Sequence, residues 1–208
     1  MNTLISFDGP KGVGKTTLIR LVHQRLSASS HPVVALVEKD LIPAPQAALL
    51  GSLYAAMKLS PTLETDKAIA DALKSARLTL TREVLPTFDG AVILLDRWYP
   101  SDAVFRRFLS SDETVAANIT EGVRVPDLTF AVQCDPGISW QRATARERNL
   151  DSKVIRGYDD HYQATLSFER AAQQFGWRIL RSDSRTPEML AEEVCSEIAG
   201  VMGRANLR

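Results

Sequence analysis

Gly9-Pro-Lys-Gly-Val-Gly-Lys-Thr16 sets glycines, a lysine and a hydroxyl at the spacing G-x-x-x-x-G-K-[ST], directly after the apolar run Leu4-Ile-Ser-Phe7 and before a helical pattern from Thr17 to Leu26. In that context the stretch reads as a phosphate-binding loop. A helix N-terminus presents unpaired N–H donors and partial positive charge, so the backbone here would converge on an anion. Gly12 and Gly14 let the chain curl close to it. Lys15 is expected to reach the β- and γ-phosphates of a nucleotide, and the Thr16 hydroxyl to hold Mg²⁺. Gly9, Lys11, Val13 and Thr17 complete the expected phosphate contacts.

A second constellation is Asp96-Arg97, which ends the apolar run Ala91-Val-Ile-Leu-Leu95. Four apolar residues followed by aspartate have the form of the carboxylate element that completes such a metal site. Ligands of open α/β sheets gather at the carboxyl ends of strands, which aims Asp96 at the ion held by Thr16, through water, and lets Arg97 clamp a phosphoryl group. A third is arginine-rich: Arg142, Arg146 and Arg148 recur at helical spacing, with Arg142 and Arg146 on one face. Arginines that close over a transferring phosphoryl group stabilise the charge growing on its oxygens. The polar segment from Arg142 to Arg156 is therefore read as a mobile lid, although Glu147 and Asp151 also suit a merely solvated helical face.

Positioning these groups requires alternating strands and helices. Strands are expected at Thr3 to Phe7, Val33 to Val37, Ala91 to Leu95, Leu128 to Gln133 and Trp177 to Leu180. The longest helical pattern runs from Thr65 to Thr87, with Ile69, Leu73, Ala76, Leu80 and Val84 on one face. Further helices begin near Ser101 and after Pro136, and the last runs from Pro187 to Val201. This order implies an α/β fold with a five-stranded parallel sheet flanked by helices. A chain of 208 residues can bury a full core as a single domain spanning 1–208. No repeat or low-complexity tract interrupts it. Lysine plus arginine number 25 and aspartate plus glutamate 25, so no global basic field draws the chain to nucleic acid. Cys134 and Cys195 do not form a disulfide framework, and His23, His31 and His161 lack metal-ligand spacing. The first strand begins almost at Met1 and no apolar run reaches membrane-spanning length, so a cytoplasmic protein without targeting segment or membrane span is expected.

Three stretches together resemble the thymidylate kinase family of nucleoside monophosphate kinases: Phe7-Asp-Gly-Pro-Lys-Gly-Val-Gly-Lys-Thr-Thr17, Ser75-Ala-Arg77 with Glu83-Val84, and Asp96-Arg-Trp-Tyr-Pro-Ser101 with Phe105. The likeness continues through Val125-Pro-Asp-Leu-Thr-Phe130, the arginine-rich segment and Asp183-Ser-Arg-Thr-Pro-Glu188. It implies a three-layer P-loop NTPase fold, ATP with Mg²⁺ as donor, a nucleoside monophosphate as acceptor, and a homodimer. On the acceptor side the resemblance assigns the phosphate to Arg97, the base to Arg77, and the exclusion of a ribose 2′-hydroxyl to Phe105, a residue that suits a core position equally well. Asp8, Ser101, Arg106 and the charged pair Glu38-Lys39 belong to the same expected acceptor site. The loop from Ser182 to Thr186, with Asp183 and Arg185, would wrap the donor adenine. Gly12 fits a catalytic arginine drawn from the lid, since family members with a small residue there use one.

Two positions depart from the family. Lys11 stands where a carboxylate usually meets the acceptor's 3′-hydroxyl, and Leu73 stands where a phenylalanine stacks on the base. Both lie on the acceptor side, which leaves ATP use intact and opens acceptors other than dTMP, a modified pyrimidine nucleotide among them. Two other readings remain at this stage. A deoxynucleoside kinase would use Glu38 as general base on a 5′-hydroxyl. A nucleotide switch or ATPase subunit would act through protein partners, yet no Asn-Lys-x-Asp motif is present and no glutamate follows Asp96 to polarise a hydrolytic water.

Overall fold

A computed structural model describes residues 2–29, 31–145, 155 and 157–205. Five β-branched or leucine-rich runs form strands: β1 (Thr3–Asp8), β2 (Val33–Val37), β3 (Val92–Asp96), β4 (Leu128–Gln133) and β5 (Arg178–Arg181). All pair in parallel in the order β2-β3-β1-β4-β5. Each lies within one residue of its expected place. The third and fifth are shifted forward by one, so that Asp96 closes β3 rather than following it.

Successive strand residues point to opposite faces, and the sheet is buried on both. On one face Ile5, Phe7, Phe130 and Val132 meet Leu18 and Val22 of α1 (Lys15–Ser27) and Leu190, Val194 and Ile198 of α9 (Pro187–Ala205). Phe7 and Phe130 stack with ring centroids 5.4 Å apart. The opposite face packs Leu4, Ile93 and Leu95 against Leu80, Trp98, Tyr99 and Val115. The result is three layers, helix on sheet on helix.

Between β2 and β3 the chain makes the short α2 (Glu38–Leu41), then α3 (Ala44–Leu59) and α4 (Leu63–Thr79). These last two bury a small apolar cluster of their own, Leu50, Met57, Ile69, Ala72 and Leu73. Thr62 caps α4 by accepting from the Thr65 N–H. The helical run from Thr65 to Thr87 does not stay α throughout: Leu80–Val84 widens to a π turn, closed by the Leu85 N–H on the Leu80 carbonyl, and Leu85–Thr87 tightens to 3₁₀. Pro86 explains the change, because it has no N–H to give and in an unbroken α-helix its ring would strike the carbonyl of Arg82, four residues earlier. Leu85 therefore takes the buried place expected of Val84, which is only half-buried.

Beyond β3 lie α5 (Tyr99–Phe105) and α6 (Ser111–Thr120), the latter opened by a reciprocal cap between Ser110 and Glu113. α7 (Pro136–Thr144) follows β4, and α8 (Tyr158–Phe175) leads into β5. No helix among the described residues is long and apolar enough to cross a membrane.

Candidate active site

The β1–β3 register pairs Phe7 with Asp96, which brings the end of β3 level with the start of the glycine-rich loop. Gly9, Gly12 and Gly14 all have positive φ, at 145°, 81° and 93°. Two of them are also hemmed in: a Cβ would stand 2.2 Å from the Val132 carbonyl oxygen at position 9 and 1.9 Å from that of Ser139 at position 12. α7 thus lies directly on the loop. Lys15 Nζ folds back over it, donating to the Gly9 and Pro10 carbonyls at 2.9 and 2.8 Å. Those bonds hold the ammonium at the loop's centre, at the N-terminus of α1. The exposed Thr16 hydroxyl donates to Asp96 Oδ2 at 3.1 Å. A hydroxyl and a carboxylate oxygen side by side are hard donors that fit Mg²⁺, which keeps its remaining positions for phosphate and water.

Beside this pair Arg97 is held in an uncommon way. Its φ of 74° makes it the only non-glycine with positive φ among the described residues. Its Nη1 donates to Ser101 Oγ at 3.1 Å, and its guanidinium carbon lies 5.5 Å from the Phe105 ring centroid. Ser101 Oγ donates in turn to Asp8 Oδ1 at 2.6 Å, and the same oxygen accepts from the Trp98 and Ser101 N–H groups. Asp8 is wholly buried, and among the described residues its Oδ2 has no aligned hydrogen bond. Burial raises its pKa against the opposing effect of those hydrogen bonds. Asp8 thereby shapes the turn that presents Arg97, and its carboxylate is turned to that turn's backbone. Phe105 packs edge-on against Phe168 at 5.4 Å, so it is part of the core and part of the Arg97 platform at once.

Two cavities flank the cluster. One, of about 520 Å³, is lined by Gly12, Val13, Gly14, Thr17, Arg142, Ser182, Asp183 and Arg185, with Leu18, Val132, Pro187 and Leu190 as its apolar wall. Ser182 Oγ donates to the Val13 carbonyl at 2.8 Å and Asp183 Oδ2 accepts from the Asp135 N–H at 2.7 Å, which ties this loop to the phosphate loop and to α7. Arg185 pairs with Glu193. Of the expected donor residues, Gly12, Val13, Gly14, Thr17, Ser182, Asp183 and Arg185 thus line one space, whereas Gly9, Lys11, Lys15 and Thr16 do not.

The other cavity, also about 520 Å³, lies between α3, α4, α5 and α8, with Tyr54, Met57, Ile69, Val104, Phe105 and Arg106 on one side and Asp160, Gln163 and Ser167 on the other. Of the expected acceptor residues, Phe105 and Arg106 line it. Arg77 does not. Its side chain is 1 % exposed, and it gives Nε to Glu38 at 2.5 Å and Nη1 to Asp102 at 2.9 Å and Asn118 at 3.4 Å. Burial works against the Arg77 charge, but Glu38 and Asp102 outweigh it and hold the guanidinium's pKa above its ordinary value. Asp102 also stands 2.9 Å from Arg106 Nε, in ion-pair contact without an aligned hydrogen bond, and Arg106 Nη1 lies 3.2 Å from Asp66. Asp66 in turn accepts from the Arg107 and Phe108 N–H groups. Two arginines and three carboxylates therefore form one buried web under the cavity. Leu73 belongs to the α3–α4 cluster, Lys39 is exposed on α2, and Lys11 is half-buried on the loop.

Arg146 and Arg148, with most of the stretch 142–156 expected to form a lid, lie outside the described residues. Asp66, Asp102, Asn118 and Tyr54 were not singled out by sequence. The spacing of Asp102 four residues before Arg106 was the available signal for one pair; the remainder come together only through tertiary packing.

Residues 7–194 match the family described as thymidylate kinase. The thymidylate kinase of Deinococcus radiodurans is 32% identical over 179 residues, covering 82% of this chain and 79% of that one. That of Acinetobacter baylyi is 27% identical over 204 residues, covering 95% and 99%. That of Anoxybacillus flavithermus is 29% identical over 191 residues, covering 88% of each.

Proposed function

Since the chain belongs to the thymidylate kinase family and is a nucleoside monophosphate kinase, we propose that it transfers the γ-phosphoryl group of ATP to the phosphate of a pyrimidine deoxynucleotide. The single observation that carries this reading is the cluster at the strand ends, where Lys15, the Thr16–Asp96 pair and Arg97 stand together between a donor-side and an acceptor-side cavity.

Lys15 meets the β- and γ-phosphates in place of the Gly9 and Pro10 carbonyls it now touches. Thr16 and Asp96 would hold Mg²⁺, which when bound would supply neutralisation of the phosphate charge. Arg97, braced by Ser101 and Phe105, holds the acceptor phosphate in line, and Arg142 reaches the donor from α7. Lid arginines 146 and 148 add to the charge stabilisation as it grows in the transition state. Lys11, an ammonium with donors only, favours a more anionic or differently seated acceptor than dTMP. Glu38 supports the monophosphate reading over a nucleoside kinase, because its carboxylate is bound to Arg77 rather than turned toward Arg97.

The protein is read as one catalytic domain working in the cytoplasm as a homodimer. Supporting the dimer, α3 is apolar nearly all round yet buries only Leu50 and Met57, leaving Leu49 at 51% and Leu59 at 87% exposure. A helix of that kind needs a partner surface, and a second copy supplies one.

The test is ADP release from ATP–Mg²⁺ across a panel of nucleosides and their monophosphates. Turnover stimulated by one or more pyrimidine deoxynucleoside monophosphates is the expected result. Stimulation by nucleosides alone, or slow hydrolysis indifferent to any acceptor, would refute it.

A further inference from the structure

Ser139 and His161 meet where α7 crosses α8, with Oγ and Nε2 2.8 Å apart and both side chains wholly buried. Neither has a role in the transfer described above. Ser139 nevertheless sits at a junction. Its carbonyl is the group that a side chain at position 12 would strike, so it defines how closely α7 lies on the phosphate loop. Three residues further along the same helix, Arg142 lines the donor cavity, its Nη1 3.7 Å from Cys134 Sγ at the end of β4. The neighbouring Trp140 packs its ring 5.5 Å from that of His161, so consecutive residues of α7 grip the same imidazole.

Proton placement follows from counting donors. Ser139 Oγ is also 3.1 Å from the Asp135 carbonyl oxygen and 3.2 Å from that of Pro136, and carbonyls only accept. A hydroxyl has one proton. Given to those carbonyls, it leaves Oγ free to accept from a protonated Nε2. The reverse arrangement directs the proton at Nε2, deprives the carbonyls of it, and strands an N–H at Nδ1, which is buried with no partner among the described residues. The first arrangement makes more bonds.

We propose that His161, as its Nε2–H tautomer, is a positioning residue: its hydrogen bond to Ser139 sets the seating of α7 on the phosphate loop and hence where Arg142 meets the donor. The inference rests on the donor-site reading of the cavity beside Arg142. Burial also holds the imidazole's pKa below its ordinary value, which keeps the ring neutral at pH 7 and preserves the lone pair at Nδ1.

The full chain with ATP, Mg²⁺ and its best monophosphate acceptor tests this. His161→Leu removes the donor, Ser139→Ala removes the acceptor, and His161→Gln restores an N–H at similar reach. In the Leu and Ala variants kcat should fall by about tenfold to a hundredfold, the loss typical of a misplaced reacting group, with acceptor KM and ATP Kd moving less than about threefold. Gln should recover most of the loss, and the double variant Ser139→Ala/His161→Leu should be no slower than the slower single. Amide exchange across residues 139–144 should quicken in the Leu and Ala variants and not in Gln.

A His161→Leu protein with a lowered Tm and unchanged kcat would overturn the proposal, as would a Gln variant no better than Leu. If His161→Leu fails to fold, Ser139→Ala makes the same comparison with a smaller change in volume. A wild type inactive toward every acceptor would instead defeat the functional reading. The exchange of residues 139–144 in Ser139→Ala and His161→Gln would then decide the tether by itself.

Discussion

Replacing Gly12 by alanine would place a methyl carbon 1.9 Å from the Ser139 carbonyl oxygen and 2.8 Å from its carbonyl carbon. The obstacle is backbone, so no rotamer change relieves it. For the oxygen to withdraw to roughly 3.3 Å, a normal carbon–oxygen approach, α7 must retreat by about 1.4 Å. The φ of 81° adds left-handed strain of about 1–2 kcal/mol. Gly14 is the internal control: its φ is 93°, yet a Cβ there meets nothing within 4 Å among the described residues, so Gly14→Ala carries the strain without the collision. Assigning the collision about 2 kcal/mol, mid-range for overpacking, Gly12→Ala should melt about 4–8 °C below Gly14→Ala at this chain length. Calorimetry without nucleotide measures that difference cleanly. Because α7 carries Arg142, the retreat should also lower kcat by about a hundredfold. Equal melting temperatures for the two variants, or a Gly12→Ala kcat close to wild type, would refute the argument that helix and loop are in contact.

Lys15→Ala should cost about a hundredfold or more in kcat with a near-native Tm, since it removes charge where charge develops; retained turnover would contradict the role given to it. Arg77→Met should destabilise by about 3–5 kcal/mol, because Glu38 loses its buried guanidinium and Asp102 keeps only Arg106, and adding Glu38→Gln should restore much of that in urea titrations. A loss under about 1 kcal/mol would mean that the web is solvated. Asp8 predicts a pH effect: burial raises its pKa above the ordinary 3.8, so the folded state holds a proton that the unfolded chain has released. The stability from that bound proton is present at low pH and lost as pH rises from about 4 through the folded value. Asp8→Asn, which keeps an acceptor oxygen for Ser101 and Trp98, should therefore gain on wild type as melts are repeated from acid to neutral pH; a constant difference would oppose this.

Local chemistry made the phosphate loop and the Asp96 position legible, because a glycine-rich turn between a strand and a helix states its own geometry. The strands were legible for a similar reason: short apolar runs bounded by polar residues leave little freedom in where they begin. Arg77 shows where such reading stops. Its partners lie 39 residues upstream and 25 downstream, and nothing in the spacing tells a guanidinium aimed at a ligand from one consumed by two buried carboxylates. α3 is not legible in the sequence because alanines and leucines on every side give no periodic stripe. Leu85 displaced Val84 because Pro86 alters the pitch of the helix before it, an effect that a fixed period of 3.6 cannot represent.

That widened turn at Leu80–Val84 has an evolutionary consequence. A π turn is how a helix absorbs one residue more than its α phase allows, leaving both flanks in place. Upstream here the Arg77 face is anchored; downstream the Leu85 carbonyl accepts from Asn2 at 2.5 Å, and Thr81 within the turn accepts from the Arg124 N–H at 3.0 Å. Deleting a single residue within the turn would close it to α and leave both flanks in phase, so the Arg77 web and the buried Leu85 would keep their places, whereas the same deletion in the regular helix before it would rotate everything beyond by about 100°. One-residue deletions among relatives should accordingly fall in this turn rather than in α4, and any lineage that lost the residue should also have changed Pro86, which has no N–H for the restored ladder.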